Sequence, residues 1–517
     1  MKLLKTICVL GIALCLVTSV YAGTQSVKIS GDITIRSLFR KDFDQNQNHS
    51  ETESYFLNMP GGDPTGNPQM YVYPGSNDWA NYFMTTTEVQ IDADLTDNVS
   101  AVIRLLNQRD WNGEARYGTC TESQPITVGS ESYYRLKAAG LVNDDEFDII
   151  LDLAYVELKE FLYSPLTLKV GRQDLWFGKG FIVGANRQNP GNTISAPEYT
   201  AVTSFDAIRA TLDYDPWTID AIAAKIHEGH ISSEDDETLF GVNVGYIFDV
   251  YNAEAETYWF WKNDANSVQP NRIKEHNTIH TIGLRGSADP IENWTVAAET
   301  AYQFGDYVGM VNQRNDRNRS AWALDVSAEC RYFKETYAWK PVLGLEYIFY
   351  SGDNTTSPDN EYRTGTYKGW DAMYRGKYDS AIREWYGRYY WSTQGLDTIR
   401  YLNQQDPINQ EDSSTNQHQL IVMGSVQPTD SLSVDARYLA FWLVEDRGWI
   451  IPNAVPTHVV EERGNFAGSE VDLELTWDYT EDVSFGLLTA WFFPGEVYAD
   501  GSDDTITDVV ATMKLSF

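Results

Sequence analysis

DIILDLAYVELKEFLYSPLTLKVGRQDLWFGKGFIVG, residues 148–184, is the stretch that decides the fold. Two alternating runs lie in or against it, Phe147–Leu158 and Leu166–Arg172, with a short turn at Ser164-Pro165 between them. In the first run Phe147, Ile149, Leu151, Leu153 and Tyr155 fall on one face, and Asp148 and Asp152 on the other. Period-two alternation marks a strand with one apolar and one polar face. In a soluble sheet the apolar face would need a second layer to cover it. The rest of the chain supplies only more strands of the same kind. The apolar faces are therefore predicted to meet lipid, around a sheet closed on itself.

Outward from this stretch the pattern repeats. Val27, Ile29, Ile33 and Ile35 oppose Lys28, Ser30, Asp32, Thr34 and Arg36. Val89, Ile91, Ala93 and Leu95 oppose Glu88, Gln90, Asp92 and Asp94. Short turns are expected at Thr96-Asp97-Asn98, Asp215-Pro216, Asp249–Asn252, Asp289–Asn293, Gln427–Ser431 and Thr480–Asp482. Longer polar connections fall at 41–80, 110–146, 173–203, 228–236, 263–277, 305–319, 351–416, 444–466 and 495–504. Short and long connections alternate, as periplasmic turns and outer loops do. The prediction is an all-β fold: a single antiparallel transmembrane β-barrel of about 18 strands, with short periplasmic turns and long extracellular loops. His418–Val426, which alternates poorly, and Trp217–His227 give the weakest strand signals. The last run, Asp508–Phe517, alternates cleanly and ends in an aromatic, which resembles the signal read by the outer-membrane barrel assembly machinery.

Residues 1–22, MKLLKTICVLGIALCLVTSVYA, read as a secretory signal peptide with a charged start, an apolar centre and a small-residue cleavage site. Leu14 before Cys15 argues against lipidation. The barrel then occupies residues 23–517. A chain of 517 residues fits one large barrel, and its mean hydropathy of −0.39 fits no helical membrane protein. The net charge of −35 excludes nucleic acid as a partner, which needs a basic footprint. It suits a surface that meets lipopolysaccharide through bridging cations. Of four cysteines only Cys120 and Cys330 lie outside the leader, so no disulfide framework is expected.

Parity assigns the inner face. Ala321, Ala323, Asp325, Ser327, Glu329 and Arg331 oppose Trp322, Leu324, Val326, Ala328, Cys330 and Tyr332. Glu470, Asp472 and Glu474 oppose Val471, Leu473 and Leu475. The inward cations are Lys28, Arg36, Arg104, Lys169, Arg209, Arg285, Arg331, Arg437 and Lys514. Inward carboxylates, Glu299, Asp325, Glu329 and Asp435 among them, outnumber these roughly two to one on the same parity count. Such charges either pair across strands or ring a constriction that selects ions. His227-Glu228-Gly229-His230 lacks metalloprotease spacing, and no nucleophile elbow occurs. No enzyme activity, cofactor or metal is expected.

AYVELK (154–159), LTLKVGRQDLWFGKGFIVGANR (166–187), SFDAIRATLDY (204–214), SGDNTTSPDNEY (351–362) and GSEVDLELTWDY…LTAWFFPG (468–495) follow one another in an order that resembles the alginate-export family of bacterial outer-membrane proteins. The resemblance runs roughly from Ile149 to Phe517. It implies an acidic polysaccharide passing through an arginine-rich constriction. Arg104, Lys169, Arg209, Arg285, Arg331 and Arg437 are the candidates for that role, and Gly171, Arg172 and Gln173 form the family-like motif. Parity points Arg172 outward, so either a bulge shifts the register there or the residue sits above the lipid band. The carboxylates Glu470, Asp472 and Glu474 are expected to oppose a polyuronate. The expected function is a passive channel for an anionic polysaccharide or sugar-like solute in the cell outer membrane. The alternatives are a general nutrient porin, or a barrel acting as surface enzyme or adhesin through its loops. Partners implied are outer-membrane lipid and lipopolysaccharide, the assembly machinery and a periplasmic export partner. Loops 41–80 and 351–416 are long enough to fold into the mouth. Gln303–Arg319 reads as an outer loop. Trp370, Tyr374, Trp385, Tyr389, Tyr390 and Trp391 would either stack on sugars or anchor their own loop.

Overall fold

The computed structural model describes residues 25–42, 79–111, 149–163, 165–186, 196–228, 236–265, 277–307, 317–334, 336–353, 366–385, 414–445, 464–497 and 504–517, together with three short hairpins, Thr52–Leu57 with Gln69–Pro74, Glu122–Val128 with Glu131–Lys137, and Trp449–Ile450 with Val460–Glu461. The expected leader, Tyr389, Tyr390, Trp391 and His230 lie outside the described residues.

Eighteen strands form one antiparallel sheet. In chain order they are β1 (Ser26–Lys41), β2 (Trp79–Thr96), β3 (Val99–Asp110), β4 (Ile150–Leu158), β5 (Leu166–Gln173), β6 (Phe205–Tyr214), β7 (Trp217–His227), β8 (Glu237–Ile247), β9 (Glu254–Asp264), β10 (Asn277–Ile291), β11 (Trp294–Tyr307), β12 (Arg317–Cys330), β13 (Val342–Tyr350), β14 (Gln417–Thr429), β15 (Leu432–Leu443), β16 (Phe466–Asp478), β17 (Val483–Pro494) and β18 (Ile506–Ser516). Each pairs with its neighbours, and β1 pairs with β18 from Asp32↔Ser516 to Lys41↔Thr507. That last pairing closes the barrel, so every strand edge is satisfied and the outside is free to be hydrocarbon. Gly31 and Phe517 exchange both backbone hydrogen bonds, at 3.0 and 2.9 Å, and fasten the terminal strand to the first.

The outer face follows the expected parity. Ile29, Ile208, Leu284, Trp322, Leu343 and Val422 point out and are exposed. Aromatic side chains mark both ends of the apolar band. Trp217, Tyr246 and Phe248 cluster near the short turns, as do Trp477, Tyr479 and Phe485. Trp261, His280 and Phe304 stack at the opposite end. Such girdles bound the lipid band of transmembrane barrels.

Two local readings of the sequence are corrected. In β4, Arg104 pairs with Leu153 while Leu105 pairs with Leu151, so Asp152 is an extra, unpaired residue. This bulge turns both Asp152 and Leu153 inward, where both are buried, and Tyr155 follows them. Of the described residues of that face, Ile149 and Leu151 stay on the lipid side, and Phe147 lies outside the described residues. The physical cause is the demand of Arg104 for a carboxylate: its Nε donates to Asp152 at 2.6 Å. The second correction concerns Gln303–Arg319. Gln303–Tyr307 end β11 and Arg317–Arg319 begin β12, and Arg319 is buried inside the barrel. At these two strand ends the polar composition reflects a lumen face, and residues 308–316 lie outside the described residues. Arg172 keeps the outward parity. It pairs with Asp206 at 3.1 Å, its register partner on β6, and donates to the Asp152 carbonyl at 3.2 Å, beside the bulge of β4.

Two segments from the loop end enter the lumen. Residues 174–186 follow β5, and residues 366–385 belong to the connection between β13 and β14. Leu175, Phe177, Phe181 and Val183 of the first, with Trp370, Tyr374 and Ile382 of the second, pack on inward residues such as Phe205, Ile222, Phe260, Tyr350 and Phe441. This part of the barrel interior is therefore a packed core. The segments dock on each other through the backbone. Gly184 donates to the Tyr374 carbonyl at 2.8 Å, Tyr374 to Ile182 at 3.0 Å, and Gly376 to Gly180 at 2.8 Å.

Candidate functional site

The site is the lumen where these segments narrow it. The second segment is fixed to the wall by carboxylates. Glu470 accepts the Ile382 N–H at 2.8 Å, the Arg383 N–H at 2.9 Å and the Ser380 hydroxyl at 2.8 Å. Asp472 accepts the Ala381 N–H at 3.2 Å. Glu384, within the segment, accepts from Arg375 at 2.8 Å and from Gln419 on β14 at 2.9 Å. At its other end Arg319 reaches the Gly369 carbonyl at 2.9 Å and lies over the rings of Tyr307 and Tyr367, which stack at 3.7 Å. Trp370, Tyr374 and Trp385 are buried, and Tyr374 donates to Glu237 at 2.6 Å. The described aromatics of this loop thus anchor it. Glu470 and Asp472 lie buried beneath the segment.

Charges in the inserted segment are set by their partners. Burial alone would raise the Asp371 carboxyl, but Lys262 and Arg319 more than reverse it and hold it below its ordinary range. Asp379 is likewise buried, and Lys377 and Arg375 pull it down. Burial opposes the charge of Lys377, yet Asp379 and Glu346 raise it. Both carboxylates stay ionised and Lys377 stays charged, as pairing in low dielectric requires.

The expected lumen residues fall into separate groups. Arg285, Glu299 and Asp325 stand side by side on β10, β11 and β12. Arg285 meets Glu254 at 2.7 Å, and Glu299 accepts from Tyr258 at 2.8 Å. Lys169 and Arg209 are register neighbours on β5 and β6, paired with Glu157 at 3.2 Å and Asp220 at 2.7 Å. Arg104 binds Asp152 and lies 3.5 Å from Asp174. Arg331 lies apart from the rest. It binds Glu329 and donates to Thr295 at 2.7 Å just past the turn end of β12. Arg437 and Asp435 project from β15 beside the second segment, and Arg437 donates to the Asp379 carbonyl at 3.3 Å.

Two cations that strand parity cannot find complete the site. Lys179 of the first segment reaches Ser327 at 2.7 Å, Glu346 at 3.6 Å and Asp325 at 3.9 Å. Lys377 of the second meets Asp379 at 2.8 Å and Glu346 at 3.4 Å. The two lysines thus share Glu346. Their side chains are 26% and 37% exposed, whereas Asp325, Glu346 and Asp379 are 4%, 2% and 9% exposed. In the pairs that Lys179 and Lys377 make, the solvent-facing member is the cation, whereas in the buried Arg375–Asp379 pair neither partner is open. Lys179 lies within the quoted FGKG run, which was the one signal in the sequence for it.

A closed barrel with a lipid-facing exterior and a polar, loop-narrowed interior is an outer-membrane β-barrel of the porin class. This chain belongs to the alginate export family, whose pattern matches residues 70–512. Among curated proteins no match was found. Solved structures that resemble it include OpdK of Pseudomonas aeruginosa with vanillate (11% identity, 95% of this chain and 99% of that one covered, TM-score 0.48). OccK7 (OpdD) of Pseudomonas aeruginosa is similar at 10% identity, with 95% and 99% covered and a TM-score of 0.47. A BenF-like porin from Pseudomonas fluorescens Pf-5 is similar at 11% identity, with 95% and 99% covered and a TM-score of 0.47.

Proposed function

We propose that the protein is a passive outer-membrane channel for an anionic polysaccharide or sugar-like solute. The observation that carries this reading is the exposure order at the narrowing. Lys179 and Lys377 face the path, and the carboxylates they cover do not. Carboxylates outnumber cations in the lumen, but a moving solute responds to exposed charge at short range, where a narrow low-dielectric passage focuses the field. Several carboxylates are also committed to holding the inserted segment through backbone N–H groups. Arg209, with a side chain more exposed than that of Asp220, extends the same arrangement to the other side of the lumen. Arg104, Lys169, Arg285 and Arg437 line the path as well, but there the order does not hold throughout, since Asp174 beside Arg104 and Glu254 beside Arg285 are the more exposed partners; Arg331 with Glu329 stands at the turn end. Residues 1–22 act in this reading as a cleaved leader and 23–517 as the barrel.

The test is ion selectivity and conductance of the refolded chain in a planar bilayer, with and without an oligouronate. Anion preference and block by the oligouronate are expected. Cation preference without block would overturn the anionic solute and leave a general porin.

A further inference from the structure

The turn end of the barrel is not uniform around its circumference. Five successive turns, from the one joining β4 to β5 to the one joining β12 to β13, carry or adjoin large apolar side chains. Leu162, Trp217, Tyr251, Ile291 and Trp339, one from each, are all exposed, Leu162 to 85% and Tyr251 to 65%. The opposite arc differs. Asp97 and Asn98, Asp430 and Ser431, and Glu481 and Asp482 occupy its turns, and the Asp430 side chain is 98% exposed. Asp430, Asp478, Glu481 and Asp482 line one hollow there. The backbone of the apolar arc is a second, independent sign. Leu162 and Tyr251 hold φ angles of +64° and +59°. In that left-handed region a Cβ is crowded, and Gly or Asn is the ordinary choice. At both tips a bulky apolar residue is therefore kept in a conformation it disfavours, with its side chain turned outward. In water both features would be unfavourable. The turn at residues 331–341 repeats the theme: Tyr332, Phe333, Tyr337 and Trp339 follow one another with ring centroids 5.4, 6.2 and 5.9 Å apart.

This arc continues the lipid-facing surface. Val250 and Tyr251 follow Phe248, which packs on Tyr246 and through it on Trp217 of the girdle. Leu343, exposed on the lipid side of β13, follows the aromatic turn. We propose that the turns from β4 to β13 are sunk in the headgroup–acyl boundary of the inner leaflet, with phospholipid as their partner, while the acidic turns of the opposite arc stand in periplasmic water. Charges on the same turns set the depth. Lys159, Glu160 and Glu292 are exposed beside the apolar tips, and hydrated headgroups accept them where acyl chains do not. Tyr and Trp favour that depth, because their rings are apolar and their O–H and N–H groups polar. The inner leaflet then meets the barrel obliquely, higher on one side than on the other. The inference holds whichever solute the lumen passes.

The test is spin-label accessibility of the full barrel in phosphatidylethanolamine–phosphatidylglycerol vesicles. Leu162→Cys, Tyr251→Cys, Ser431→Cys and Glu481→Cys each carry one nitroxide, in a background with Cys120→Ser and Cys330→Ser. Oxygen partitions into the bilayer, and a nickel chelate, present on both sides, stays in water. The oxygen-to-nickel collision ratio is expected to be higher by about threefold or more at positions 162 and 251 than at 431 and 481. Equal ratios at all four positions, or the opposite order, overturn the proposal and leave the apolar arc free for a protein partner. Heat-modifiable gel mobility checks that each variant retains the barrel. The unsubstituted barrel in the same vesicles gives a reading that needs no label. Hydroxyl radicals are expected to oxidise Tyr251 and Trp339 no faster than Trp322 on the lipid face, and oxidation at the rate of a fully solvated ring overturns the proposal.

Discussion

Glu470, on the barrel wall, accepts the backbone N–H of Arg383, in the inserted segment, at 2.9 Å. The same carboxylate holds Ile382 and Ser380, so one wall residue terminates three donors of the segment. A short helical turn, Arg383–Trp385, begins there, and its free N–H groups need an acceptor that water cannot supply inside the packed lumen. The segment and the wall are thus matched donor to acceptor.

Glu470→Ala strands those donors. Each buried donor left without a partner costs about 1–3 kcal/mol. The expected outcome is a barrel that still folds, because β16 keeps its ladder, but with the segment loosened. Single-channel conductance should rise by about twofold or show added open-state noise. An unchanged current trace would mean that the segment is held by its apolar residues alone.

Much of the barrel was legible from residue alternation. That Arg437 and Asp472, and Arg285 and Glu299, share the inner face follows from parity, and the register of the strands then sets them side by side. The bulge at Asp152 was not legible, because a single extra residue leaves local composition unchanged. The lumen was harder still. Parity speaks only for strands, and Lys179, Lys377 and Arg375 reach the lumen from connections. Arg319 and Lys262 sit at strand ends where the polar lumen face resembles the loop that follows. Nothing in the strand that carries Glu470 and Asp472 shows that another segment covers them.

Gly184 and Gly376 give a second handle on the inserted segments. A Cβ on Gly376 would stand 2.7 Å from the Cα of Gly184, closer than side chains approach a backbone. Gly376→Val is expected to separate the two segments and break the Gly376–Gly180 hydrogen bond. Overpacking of this kind costs about 1–3 kcal/mol. A lowered urea midpoint for loss of segment protection, read by hydrogen exchange at 174–186 and 366–385 with the strands unaffected, would show it. Equal protection in both proteins would show that the segments do not depend on each other.

Acid should release the second segment late. The Asp371 and Asp379 carboxyls lie below their ordinary value of 3.8 in the folded state. A depressed carboxylate contributes stability that is fully present above its unfolded value and is lost as pH falls through the folded one. The share of docking that rests on Asp371 and Asp379 is therefore expected to be flat from pH 7 down to about 5, to weaken below that, and to be lost only below 3.8. Conductance recorded from pH 7 to pH 3 checks this. A step already complete near pH 6 would assign control to other groups.

The contribution of the inserted lysines to selectivity is separable from that of the wall arginines. Lys179→Ala uncovers Asp325 and Glu346, and Lys377→Ala uncovers Glu346 and Asp379. Each substitution removes a cation from the path and adds a carboxylate to it, so the local charge changes twice. The double variant should shift the anion-to-cation permeability ratio toward cations by about tenfold, equivalent to roughly 1.4 kcal/mol of differential ion energy. Oligouronate block should weaken by at least as much. Arg331→Ala serves as the control. Arg331 lies at the turn end, bound to Glu329 in a half-exposed pair, where solvent screens its field. Its removal should move the ratio by less than twofold. The ratio is read from the reversal potential in a salt gradient, at low and at high ionic strength. A shift produced by Arg331→Ala but not by the lysine pair would place the selective charges at the periplasmic mouth and remove them from the narrowing.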